Sequence, residues 1–122
     1  MSNKRTVVIG ASDNPERYAY KAIMSLTNKG YIVYAEGQRM GMINDAIRIS
    51  AERKPYEDID TVTLYVGAKN QPNWYEYILS LKPKRIIFNP GTENEELMKL
   101  AHDNHIETIE ACTLVMLSLD NY

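Results

Sequence analysis

The chain has 122 residues, of which 44% are hydrophobic and 25% charged, the mix of a single globular domain long enough to bury a core without staples. Lys and Arg total 14 against 16 Asp and Glu, for a net charge of −2, which argues against wholesale nucleic-acid binding. A single Cys excludes an intrachain disulfide framework, and with only 2 His it leaves few ligands for a structural zinc.

The basic start Met1-Ser2-Asn3-Lys4-Arg5 runs directly into an apolar strand and is not followed by the long apolar region of a signal peptide. No apolar run approaches the ~20 residues that a membrane-spanning helix needs. The expectation is a soluble cytoplasmic protein, one domain over residues 1–122, with no nucleic-acid or membrane partner.

Thr6-Val7-Val8-Ile9-Gly10 is a continuous apolar run stopped by glycine, the pattern of a strand buried on both faces. Ala19, Ala22, Ile23 and Leu26 then fall at i, i+3, i+4, i+7 and predict a helix, which Gly30 is placed to end in the left-handed conformation. Tyr31-Ile32-Val33-Tyr34-Ala35 reads as a second strand. From Glu36 to Asp60 the periodicity is weaker: Met42-Ile43 and Ala46-Ile47-Arg48-Ile49 flank Asn44-Asp45 as a small hairpin or an irregular excursion.

Thr61-Val62-Thr63-Leu64-Tyr65-Val66 predicts the next strand. Pro72 suits a helix start, and Trp74, Tyr77, Ile78 and Leu81 give that helix its stripe. Arg85-Ile86-Ile87-Phe88 is a fourth strand. Thr92 and Glu95 are spaced as a capping box before a helix carrying Leu97, Leu100 and Ala101. Glu107-Thr108-Ile109-Glu110 reads as a last, edge-like strand, and a closing helix begins around Ala111-Cys112-Thr113. The alternation specifies an α/β fold: an open, doubly wound parallel sheet of about five strands in order 3-2-1-4-5 with helices on both faces.

Such sheets bind ligands beyond the carboxyl ends of their strands. The first such turn, Gly10-Ala11-Ser12-Asp13-Asn14-Pro15-Glu16-Arg17, combines a glycine bend and small residues with a following helix whose first amides suit a phosphate. Arg17 and Lys21 stand where a pyrophosphate's charge would be met. The turn lacks the second and third glycines of G-x-G-x-x-G and is not a Walker loop. After the second strand, Glu36 suits the ribose diol of NAD whereas Arg39 suits a phosphorylated ribose, and spacing leaves both readings open. Asn89-Pro90-Gly91-Thr92 leads into another helix start that suits an anionic or polar group, or is simply good turn chemistry. Cys112 is expected to pack and not to act as a nucleophile. His102 and His105 lie toward a helix C-terminus, where the dipole favours histidine, so no metal site is expected. No catalytic triad order, H-E-x-x-H or C-x-x-C is present.

Four stretches together resemble a known family: Val7-Val8-Ile9-Gly10-Ala11-Ser12-Asp13-Asn14-Pro15-Glu16-Arg17, Lys69-Asn70-Gln71, Lys82 through Asn94, and Glu110-Ala111-Cys112-Thr113-Leu114-Val115-Met116-Leu117. The chain is similar to the small single-domain CoA-binding proteins, which are related to the N-terminal domain of the succinyl-CoA synthetase α subunit. The resemblance covers nearly the whole sequence. It implies a Rossmann-like domain that binds coenzyme A and does not imply catalysis, since the synthetases' phosphohistidine belongs to a different domain; the leading expectation is non-catalytic binding of coenzyme A or an acyl-CoA, as a sensor or carrier.

On that resemblance Gly10, Ala11 and Ser12 pack against the phosphate-bearing part, with Arg17 and Lys21 supplying charge. Gly37 and Arg39 meet the phosphorylated ribose, Val66 flanks the adenine crevice, and Asn89 and Gly91 line the pantetheine side. The chain departs from the family pattern after the second strand, where relatives commonly read valine-X-proline and a basic residue and this one reads Ala35-Glu36-Gly37-Gln38-Arg39. A Glu36 side chain in the crevice would repel a phosphate. The alternatives are an NAD(H)-binding redox sensor or small oxidoreductase held through Glu36, and an interaction module with a vestigial nucleotide site. A homodimer is left open.

Overall fold

The structure, a computed structural model, describes residues 4–122; residues 1–3, where the basic N-terminal stretch begins, lie outside the described residues. The apolar run that opens the chain forms β1 (Arg5–Ile9), and successive side chains leave it on opposite faces. Val8 joins Ala19, Ile23, Leu26 and Leu117 on one side of the sheet, whereas Val7 and Ile9 join Trp74, Tyr77, Ile78, Leu97 and Ala101 on the other. The first set comes from α1 (Tyr18–Asn28) and α4 (Thr113–Ser118), the second from α2 (Tyr75–Ser80), the 3₁₀ turn before it, and α3 (Glu95–Asp103). Each fully buried aliphatic side chain in these two layers contributes about 1.5–3 kcal/mol, which is why such residues predominate in the central strands, with Thr6, Thr61 and Thr63 buried among them.

The sheet is doubly wound and parallel, as expected, but it has seven strands in the order β3-β4-β2-β1-β5-β6-β7. The remaining strands are β2 (Ile32–Glu36), β3 (Gly41–Met42), β4 (Arg48–Ser50), β5 (Thr61–Leu64), β6 (Arg85–Phe88) and β7 (Glu107–Glu110). All neighbours are parallel except β3 with β4. The expected order placed Thr61–Leu64 beside β2. Instead Val8 pairs with Thr63 across β1–β5, and the place beside β2 is taken by β4 through Ala35–Ile49. The cause lies in the weakly periodic segment: Ile49 is buried against the sheet, so the hairpin β3–β4 supplies its own parallel strand and sends β5 to the other side of β1. Asn44 Oδ1 closes that hairpin by accepting from the amides of Ala46 and Ile47 at 2.8 and 2.9 Å.

One local expectation changes. The helix after β6 is capped by Asn94, whose side chain accepts from the amides of Glu96 and Leu97, and not by a Thr92–Glu95 box. Thr92 instead turns its hydroxyl inward to the Asn89 carbonyl, 2.7 Å away, because the helix begins after the turn has already closed. No helix links β4 to β5: residues 51–60 cross the second face as an extended strap, with Tyr56 stacked on Tyr34 at 4.2 Å between ring centres. Among the described residues no helix is long and apolar enough to cross a membrane.

Candidate functional site

From β1 the chain winds through α1 to β2 on one side, while β5 pairs with the other, so the loops leaving β1 and β5 diverge at the carboxyl edge. Between them lies a cleft of about 930 Å³. Its floor is Gly10, Ala11, Ser12 and Asp13. One wall is the start of α1 (Arg17, Tyr18, Ala19) and the β2–β3 connection (Gln38, Arg39, Met40) with Ile49; the other is Tyr65, Val66, Gly67, Asn70 and Trp74.

Gly10 makes this junction possible. Its φ is +89°, and a Cβ there would stand 2.7 Å from the Tyr65 carbonyl oxygen and 2.8 Å from Val66 Cγ2. The turn is also fastened to β2, because the amides of Gly10 and Ala11 both donate to the Glu36 carbonyl at 2.9 and 3.0 Å. Those two amides are therefore spent on the fold. What remains for an anion is the Ser12 hydroxyl, whose oxygen accepts from the Asn14 amide and leaves its proton to donate, and the first turn of α1, which has no side-chain cap. Two arginines, Arg17 and Arg39, and one acid, Asp13, carry the formal charge of the cleft.

Of the residues singled out in the sequence, Gly10, Ala11, Ser12, Arg17, Arg39 and Val66 meet in this cleft, while Lys21, Gly37, Asn89 and Gly91 lie off it. Lys21 sits one turn along α1 with its ammonium 5.4 Å from the centre of the Tyr18 ring. Gly37 supports the floor from behind, since a Cβ there would approach the Ala11 carbonyl oxygen to 2.8 Å. Asn89 is 2% exposed; its Nδ2 donates to Thr63 Oγ1 and the Leu64 carbonyl, and its Oδ1 accepts from the Thr113 amide, so it ties β5, β6 and α4 together. Gly91 is exposed with φ +90°, its amide donating to Glu93.

Glu36 does not face the cleft. Its side chain is wholly buried, Oε1 accepting from the Arg53 amide at 2.9 Å and Oε2 from the Lys54 amide at 3.3 Å and the Tyr56 hydroxyl at 2.7 Å. The carboxylate anchors the strap after β4. Gln71 has a similar role inside the opposite wall: its Nε2 donates to the carbonyls of Val66 and Thr92, and its Oε1 accepts from Asn94.

Cys112 is half-buried at the start of α4, outside the cleft lining. The Tyr65 phenol is held above its usual range by burial and, secondly, by the Cys112 thiol. His102 lies in the last turn of α3, and His105 follows the helix with φ +61°. Among the described residues no three His, Cys, Asp or Glu side chains converge as a metal site.

Sequence reasoning did not assign Tyr18, Gln38, Met40, Ile49 and Trp74 to the site. Trp74 was legible only as a core residue, and it is one, with its edge reaching the cleft. Met40 and Ile49 come from the segment whose periodicity was too weak to place. Asn70 was marked only by the Lys69-Asn70-Gln71 stretch.

A family model described as a CoA binding domain matches residues 4–118. Among solved structures, the crystal structure of an uncharacterized protein is 46% identical and superposes with a TM-score of 0.95 over 100% of both chains. A hypothetical protein from Pyrococcus horikoshii OT3 is 24% identical, with a TM-score of 0.84 over 96% of this chain and 83% of that one. The cell-free ID.343 protein from Thermus thermophilus is 20% identical, with a TM-score of 0.85 over 98% and 91%. These last two bear on the fold alone. No curated protein matches the chain.

Proposed function

The chain belongs to the CoA-binding domain family, and from that membership and the charge of the cleft we propose that it binds coenzyme A or an acyl-CoA without transforming it, as a sensor or carrier. The observation that carries the reading is the inward turn of Glu36. With its carboxylate consumed by the strap, the wall after β2 presents Arg39 alone to a ribose phosphate, with no acid from β2 opposing it. The volume of about 930 Å³ lies within the range of small-molecule and cofactor sites.

In this reading the pyrophosphate lies over Ser12 and the first turn of α1, with Arg17 beside it. The phosphorylated ribose meets Arg39; because Asn89 and Gly91 lie off the cleft, the pantetheine arm leaves past Val66 and Gly67, which replaces the adenine role that the resemblance implied for Val66. Charge-assisted hydrogen bonds from arginine to phosphate are the strong contacts of such a site. The chain's own residues bind and orient; the cleft lining includes no Cys or His and no paired nucleophile and base, which is why binding and not catalysis is proposed. The NAD(H) reading loses its support, because an acid that accepts three hydrogen bonds inside the fold has no room for a ribose diol.

Thermal unfolding with CoA, dephospho-CoA and NAD, each at about a millimolar, tests this: a ligand at a hundred times its Kd adds about 2.7 kcal/mol, several degrees for a domain this size. The expected order is CoA above dephospho-CoA, with NAD inert, and Arg39→Ala should erase the advantage of CoA over dephospho-CoA. Equal shifts for the two CoA forms would remove Arg39 from the ribose phosphate, and a rise with NAD alone would overturn the reading.

A further inference from the structure

Two large, highly exposed apolar side chains stand on the walls of the cleft. Tyr18, the first residue of α1, is 69% exposed, and Met40, in the β2–β3 connection, is 75% exposed. Both line the cleft, whereas the other exposed large hydrophobic residues (Ile32, Met42, Val115 and Leu119) do not. Scattered apolar side chains on a surface need no explanation; two gathered at one charged cleft do.

Their surroundings point to a flat, apolar group that carries phosphates. The Lys21 ammonium stands 5.4 Å from the centre of the Tyr18 ring, a cation–π contact that occupies one face and leaves the other for a planar partner. Met40 offers a flexible, polarizable thioether that adapts to aromatic rings. Each is adjacent in sequence to a cleft arginine, Tyr18 to Arg17 and Met40 to Arg39. The two wall segments also belong together: the Asp13 carboxylate lies against Gly41, where a Cβ would meet Asp13 Oδ2 at 2.9 Å. The connection that carries Met40 is thus packed on the turn that leads into Tyr18.

We propose that Tyr18 and Met40 form the seat of the ligand's adenine base, an inference that rests on the CoA-binding function above. Stacking on an aromatic side chain tolerates any base and is strong enough to set affinity. The arginines then hold the phosphates carried on either side of the ribose, so recognition is divided: the charges select for phosphorylation, and the apolar pair selects for an aromatic base.

Calorimetric titration of wild type, Tyr18→Ala and Met40→Ala with CoA, adenosine 3′,5′-bisphosphate and 4′-phosphopantetheine tests the division. Both variants should lose about tenfold in affinity for CoA and for the bisphosphate, which carry adenine, and none for phosphopantetheine, which lacks it. Since both side chains are exposed, both variants should melt as the wild type does. A wild type that binds CoA, with variants that bind it equally well, overturns the base seat alone. An equal loss for phosphopantetheine also overturns it, by showing that the pair shapes the cleft in general. A wild type that binds none of the three ligands overturns the CoA-binding function and the seat with it.

Discussion

The Tyr56 hydroxyl donates a 2.7 Å hydrogen bond to the Glu36 carboxylate, joining the strap that precedes β5 to the end of β2. Through this contact the last residue of β2 faces two ways: its carbonyl holds the Gly10–Ala11 turn and its side chain holds residues 53–56. An acid at a place where related folds meet a ribose is here a fastener of the chain. Glu36→Ala should lower stability by about 1–3 kcal/mol, because it strands two amides and a hydroxyl without their acceptor. The urea midpoint should fall with an unchanged m-value; an unchanged midpoint would mean that the strap is not held by Glu36.

Gly10 should tolerate no side chain. Its φ of +89° and the carbonyl oxygen of Tyr65 2.7 Å from a Cβ combine backbone strain with a clash against main chain, which does not give way as a flexible side chain would. Gly10→Ala should cost about 2 kcal/mol or more and weaken CoA in the same variant, read from thermal unfolding and titration. A variant with wild-type melting and affinity would place the floor of the cleft elsewhere.

Asn89 should behave as a structural residue. Asn89→Ala removes three hydrogen bonds among β5, β6 and α4 and should cost about 1–3 kcal/mol. Measured well below its melting temperature, its affinity for CoA should stay near that of wild type. A large loss of affinity with unchanged stability would return Asn89 to the ligand.

High pH should loosen the strap. The phenols of Tyr56 and Tyr77 are held above their usual value of 10.0, by burial first and by Glu36 next, through its hydrogen bond and then its charge at Tyr56 and through its charge at Tyr77. The folded chain thus keeps protons that the unfolded chain begins to release near pH 10, so this stability is whole below that value and is lost as pH rises toward the folded values. Urea midpoints should fall between about pH 9 and about pH 11, and Tyr56→Phe, which has no phenol to ionise, should show a shallower fall. Equal slopes for the two proteins would exclude Tyr56 as a source.

Trp74 is the single tryptophan of the chain and reaches the cleft, with the Arg53 guanidinium 4.1 Å from its ring centre. Its fluorescence should therefore change saturably on titration with CoA, and the resulting Kd should agree with calorimetry. Emission that stays constant while calorimetry shows saturation would put the ligand away from Trp74.

Local pattern carried much of this fold in the sequence. Ala19, Ala22, Ile23 and Leu26, and again Trp74, Tyr77, Ile78 and Leu81, are buried as their spacing requires, because a helix on a sheet has only one way to hide such a stripe. The continuous apolar runs likewise required strands covered on both faces, and Gly10 marked the first turn. Neighbours in space were another matter. Whether Thr61–Leu64 lies beside β2 or beside β1 depends on what residues 37–60 do, and a three-residue strand such as β4 is too short to announce itself by periodicity.

The same limit governed the cleft. Residue type and chain order placed Gly10, Ala11, Ser12, Arg17, Arg39 and Val66 at the carboxyl edge, where the structure brings them together. The direction of Glu36 could not be read there, since its acceptors' partners are seventeen to twenty residues further on, nor could the presence of Met40 and Trp74 on facing segments. By itself the sequence determined which elements form, which face of each is apolar, and which turns lie at the carboxyl edge of the sheet, because these follow from interactions within a few residues. Only the tertiary structure decided strand order, the burial of Glu36 and the membership of the cleft walls, because each depends on contacts between segments far apart in the chain.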